Sequence, residues 1–128
     1  MKFEVPIYRD FKTKGKIETK VIGLNWYRNA HFQILNKVKK EYFWIIKEQC
    51  QGKLNLQKIH ITYNIYFKRR GTDGGNCRSI IEKFVLDALV ECGVIAKDTS
   101  DCVISDESFY FIDKESPRCE IILKNLLI

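Results

Sequence analysis

Proline is scarce, at 2 of 128 residues, and no stretch rich in proline, glycine and serine divides the chain. Internal repeats and low-complexity segments are missing as well, so the sequence reads as one domain over residues 1–128, long enough to bury a core. Unbroken apolar runs are short, the longest being of the kind YFWII at 42–46, which excludes a membrane-spanning helix. The opening MKFEVPIYRD places charges where a secretory signal needs apolar residues, so no leader is expected there. The 5 cysteines, Cys50, Cys77, Cys92, Cys102 and Cys119, are odd in number and contain no CxxC pair. That pattern argues against a disulfide framework or a zinc site and for free thiols in a reducing cytosol.

Charge is plentiful but uneven. Residues 1–71 carry 16 Lys and Arg against 5 Asp and Glu, a balance of +11, whereas residues 72–128 carry 6 against 11, a balance of −5. A basic half suits a polyanion, because neutralising phosphates drives nucleic-acid affinity. An acidic half in the same small domain suggests a metal; uneven surface charge is the plainer alternative.

Periodicity predicts an α+β fold in the order β-β-α-β-α-β-β, two main helices packing on a mixed or mostly antiparallel sheet. Strands are expected over 1–8 and 16–24, and a helix from Trp26 to about Lys47 that exposes Lys37, Lys39 and Lys40. Gln57 to Lys68 alternates, with Ile59, Ile61, Tyr63, Ile65 and Phe67 on one side, as in a half-buried strand. A second helix is expected from an Asn76 N-cap to Glu91, stopped by Gly93, followed by strands over Asp101–Ile112 and Arg118–Leu126.

The residues with chemistry gather around this second helix. Asn76, Lys83 and Asp87 fall on one stripe at 100° per residue, and Asp73 lies just before its N-terminus. Lys68, Arg69 and Arg70 lead into the loop, and Asp98 follows the helix. Carboxylates with a lysine and nearby arginines suit metal-assisted phosphodiester cleavage. On spacing alone, the plainer reading makes Lys83 and Asp87 an i,i+4 surface pair and Asp73 a turn residue. His31 and His60 are expected to be structural or solvated, and Trp26 and Trp44 to be core or dimer contacts rather than base-stacking platforms.

In order along the chain stand D73-G-G-N76, K83, L86-D-A-L89, G93-V-I, D98 and the closing DKESPRCEIIL at 113–123, with LNWYRNAHFQILNKVKKEY at 24–42 upstream. This order resembles the RusA family of Holliday junction resolvases, Mg²⁺-dependent endonucleases often carried by phages and prophages. The resemblance implies a RusA-like fold, a homodimer and a four-way or otherwise branched DNA substrate in the cytoplasm of a bacterial host. It implies catalytic roles for Asp73, Lys83 and Asp98, with Mg²⁺ (or Mn²⁺) held by Asp73, Asp98 and Asp87, assisted by Glu82. DNA contacts are implied for Lys68, Arg69, Arg70, Asn76, Arg28, Lys37, Lys39 and Lys40.

Three departures bear on activity. Gly75 stands where the family pattern Asp-x-Asp-Asn has its second Asp, and Lys97 where it has the first of an Asp-Asp pair. The helix is also about four residues longer than in shorter members, which moves Lys83 about 5.4 Å along the same face. Two expectations follow: a Mg²⁺-dependent junction endonuclease, or a RusA-like protein that binds branched DNA or a protein partner without cutting.

Overall fold

Ile59, Ile61, Tyr63, Ile65 and Phe67 are all buried, and the intervening His60, Thr62, Asn64 and Tyr66 are only half-buried, so the alternation in this segment does build a strand with two unlike faces. The computed structural model describes residues 1–127, Thr13 by its backbone alone. In chain order the elements are β1 (Lys2–Val5), β2 (Tyr8–Thr13), β3 (Lys16–Val21), α1 (Leu24–Asn29), α2 (Phe32–Gln49), β4 (Ile59–Phe67), α3 (Gly74–Glu91), β5 (Val103–Ile112) and β6 (Arg118–Asn125).

Four strands form a mixed sheet in the order β1-β6-β4-β5, and β2 and β3 form a separate two-stranded ribbon. β6 runs antiparallel to both β1 and β4, while β5 is parallel to β4. A parallel neighbour requires a crossover, and α3 supplies it. The helices cover the face bearing Ile61, Tyr63 and Ile65. There Val38, Tyr42 and Ile46 of α2 join Ile80, Ile81, Phe84, Val85 and Leu89 of α3 in one core. Burying each such side chain contributes about 1.5–3 kcal/mol. The fold is α+β with a mixed sheet and two long helices.

Several local expectations are corrected. The helix expected from Trp26 to Lys47 is two helices, because Ala30 and His31 are extended, at ψ 138° and 146°. The Asn29 amide closes α1 by donating to the Asn25 carbonyl at 2.8 Å, and His31 Nδ1 caps α2 by accepting from the Gln33 N–H. The strand expected over 1–8 ends at Val5 before Pro6, and β2 was not anticipated. The N-cap of α3 is Asp73 rather than Asn76. Its C-terminus closes as expected: Gly93 has φ +72°, the Gly93 N–H donates to the Val90 carbonyl, and the Val94 N–H to that of Leu89.

β5 is an edge strand, and Ile104, Phe109, Tyr110, Phe111 and Ile112 along it are exposed. Among the described residues no helix is long and apolar enough to cross a membrane. All five cysteines are free.

Candidate nucleic-acid interface

The β2–β3 ribbon turns through Lys14 and Gly15, at φ 49° and 79°, the two-residue turn whose twist matches paired strands. Its base is fixed by an Ile22 N–H donating to the Ile7 carbonyl at 2.7 Å and by the Tyr8 hydroxyl, which accepts from the Lys68 N–H at 3.0 Å. Phe11 rests against Trp26 of α1, ring centroids 5.9 Å apart, and Trp26 in turn meets Phe84 of α3 at 6.3 Å. The ribbon is thereby held beside the N-terminus of α3, and a hollow of about 820 Å³ opens between ribbon, α1, α2 and α3.

Arg9, Lys12 and Lys20 from the ribbon and Lys37 from α2 line this hollow, with Phe11 and Trp26 among its apolar wall and Asp10, Asp73 and Asn76 among its polar groups. Both acids are engaged locally. Asp10 accepts a hydrogen bond from the Thr19 hydroxyl. The Asp73 carboxylate accepts from the Asn76 N–H at 3.2 Å and from the Asn76 side-chain amide at 2.9 Å. Arg9 pairs with Glu41, and the ring of Phe11 lies 5.9 Å from the Arg9 guanidinium and 5.8 Å from the Lys20 amine. Arg69 and Arg70, both exposed, precede Thr72 and Asp73 at the rim. The result is a concave, cation-rich surface with an aromatic wall, which suits a sugar-phosphate strand. Burial pushes the Cys77 thiol nearby up to about 11, so it is no nucleophile at neutral pH.

The glycines at the head of α3 differ in kind. A Cβ on Gly74 would lie 2.6 Å from the Tyr110 ring, so a larger residue there requires that exposed ring to move. A Cβ on Gly75 would meet only Asp73 Oδ1, at 3.7 Å. Nothing steric demands a glycine at 75.

A second hollow, of about 670 Å³, is lined by Lys39, Glu82, Lys83, Asp87 and Asp98, with Tyr27 and Phe32. The Lys83 amine sits 5.4 Å from the centre of the Tyr27 ring. Lys39 pairs with Asp87 at 3.6 Å and with Glu91 at 3.9 Å, so it braces α2 against α3. Glu82 pairs with Arg78, itself 2.6 Å from Asp106, and burial raises the Glu82 carboxyl above its ordinary range.

The expected metal and catalytic residues are thus divided. Lys83, Asp87 and Asp98 share the second hollow, and Asp73 lines the first. Asp73 precedes α3 and Asp98 follows it, but the chain beyond Glu91 returns along the helix, so that Asp98 shares its hollow with Ser79, Lys83 and Asp87. Among the described residues no group of three or more His, Cys, Asp or Glu side chains is placed to hold a metal ion. Of the three carboxylates expected to hold Mg²⁺, Asp87 and Asp98 line one hollow and Asp73 the other.

The expected DNA contacts are divided too. Lys37 and Asn76 line the basic hollow. The Lys68 amine lies over the Tyr8 ring at 4.8 Å, Arg28 is exposed on the last turn of α1, and Lys40 faces a third hollow beside Trp44. The ribbon residues Arg9, Lys12 and Lys20 were missed, although the positive balance of residues 1–71 signalled them. Trp26, expected as a core or dimer contact, packs half-buried against the core and also lines the basic hollow. His60 is held by Ser105 at 2.7 Å and by Glu107 at 3.3 Å, in a structural setting. Comparison with models of known protein families and with curated proteins gave no match.

Proposed function

We propose that the protein is a structure-selective DNA-binding protein that grips the sugar-phosphate backbone of branched DNA, such as a four-way junction, in the basic hollow. One observation carries this reading: Arg9, Lys12, Lys20 and Lys37, from three separate elements, converge on one concavity with Phe11 and Trp26 in its wall. Glu41 and Glu18 partner Arg9 and Lys20, while Lys12 and Lys37 have no acidic partner among the described residues and are available to neutralise phosphates. Recognition of this kind follows backbone path and branch shape rather than base sequence. The resemblance to RusA-type proteins supports a branched substrate, a cytoplasmic setting in a bacterial host and a phage or prophage origin. The exposed edge strand β5 is where the implied homodimer would form.

A second reading, Mg²⁺-dependent resolution of the junction, is favoured by Lys83, Asp87 and Asp98 lining one hollow. The division of Asp73 from Asp98, and a side-chain-free Gly75 where a carboxylate has room, favour binding without cutting.

A labelled synthetic four-way junction separates the readings. Mobility-shift titrations in EDTA against a linear duplex of equal length measure binding, and incubation with Mg²⁺ or Mn²⁺ measures nicking. Preferential junction binding without nicking is the expected result. Nicking abolished by Asp98→Asn establishes the second reading instead, and equal, weak affinity for junction and duplex removes the first.

A further inference from the structure

We propose that the basic hollow contains a subsite for one unpaired nucleotide, its base against Trp26 and Phe11 and its phosphate among Lys12, Lys20 and Lys37. The inference rests on the DNA-binding reading and adds to it the feature that tells a branch point from a duplex.

Size comes first. At about 820 Å³ the hollow falls within the range of small-molecule sites, roughly 300–1,000 Å³. It can seat a nucleotide swung out of its stack. Chemistry comes second. Trp26 is half-buried: its ring is braced from behind by Phe84 and flanked by Phe11, and it also lines the hollow. A braced aromatic surface among cations is what an unstacked base and its phosphate require, since every base has a π-face and every nucleotide a charge. At the same wall the Asn29 amide donates to the Asn25 carbonyl and side-chain oxygen, which leaves the Asn25 amide as a donor and the Asn29 side-chain oxygen as an acceptor for a base edge.

The acids facing the subsite do not reverse its sign. Asp10 and Asp73 are held by Thr19 and Asn76, Arg9 pairs with Glu41 and Lys20 with Glu18 at 3.7 Å, and Lys12 and Lys37 have no acidic partner among the described residues. The energetic argument is equally direct. Extruding a base from a duplex costs unstacking and unpairing, and a junction or single strand offers an unstacked base at a lower cost. The subsite therefore rewards branched or single-stranded DNA over intact duplex.

Fluorescence provides the test because the chain has 2 tryptophans and Trp44 is on a different surface, 58% exposed. A Trp44→Phe variant leaves Trp26 as the sole indole. It is titrated with a short oligothymidylate and with a blunt duplex of matched charge, and junction binding is followed separately by mobility shift. Saturable quenching by the single strand, at least tenfold weaker for the duplex and weakened roughly tenfold in a Lys12→Ala, Lys20→Ala double variant, is the expected result. Junction binding without quenching, or equal quenching by the duplex, overturns the subsite and leaves the DNA-binding reading intact. If neither junction nor single strand binds, both fall.

Discussion

Both oxygens of the Asp73 carboxylate are taken by one residue: Oδ1 accepts from the Asn76 backbone N–H at 3.2 Å, and Oδ2 accepts from its side-chain amide at 2.9 Å. Asp73 is therefore the cap of α3 and a wall residue of the basic hollow at once. Removing the cap in Asp73→Ala is expected to cost about 1 kcal/mol in urea unfolding. Asp73→Asn keeps a capping oxygen, removes a negative charge beside the bound strand and should tighten junction binding about two- to fivefold at low salt. Weaker binding by Asp73→Asn, with stability intact, would instead mark the carboxylate as a ligand-handling group.

The two glycines beside it should respond in opposite ways. Gly74→Ala drives a methyl into the Tyr110 ring, and turning that exposed ring aside is expected to cost about 0.5–1.5 kcal/mol. Gly75→Ala meets open space in the first turn of α3 and should be neutral or stabilising by up to about 1 kcal/mol. Thermal unfolding of the two variants side by side decides it. An equal loss in both would mean that α3 does not approach β5 as described.

Acid should loosen the sheet through Glu120. This buried carboxylate sits between Lys2 at 3.1 Å and Arg118 at 3.0 Å, and their hydrogen bonds and charge overcome its burial to hold its carboxyl below the ordinary 4.5. A depressed native pKa contributes stability that is present above 4.5 and lost as the pH falls through the native value. Glu120→Gln should lower stability at pH 7 by about 1–3 kcal/mol and flatten the acid side of the stability curve below pH 5. An unchanged acid limb in that variant would remove Glu120 from the account.

Much of this fold is legible in the residues, for identifiable reasons. β4 shows its period-two pattern because one of its faces is core, and α3 is bounded by Gly93 because only a glycine takes φ +72° cheaply. The break between α1 and α2 is not legible, since Ala30 and His31 carry no glycine or proline signal, and their extended backbone is fixed by caps formed only in the folded chain. β2 escaped notice because YRDFKT has polar residues on both faces, although the Lys14-Gly15 turn was there to read. The site divides along the same line. Sequence order suggested one cluster of 73, 83, 87 and 98, but Asp73 turns to the ribbon side of α3 while Lys83, Asp87 and Asp98 line another hollow, a division that depends on where the β2–β3 ribbon packs.

The salt dependence of four-way-junction binding tests the central claim most directly. The wild-type chain should show log K falling linearly with log salt concentration. A Lys12→Glu, Lys20→Glu, Lys37→Glu variant should bind at least tenfold more weakly at low salt, with a slope shallower by about 2–3. A control reversing Lys40 and Lys47, on the Trp44 side of α2, should keep the wild-type slope. If the triple variant binds as tightly and with the same slope as the wild type, the basic hollow is not where this protein meets DNA.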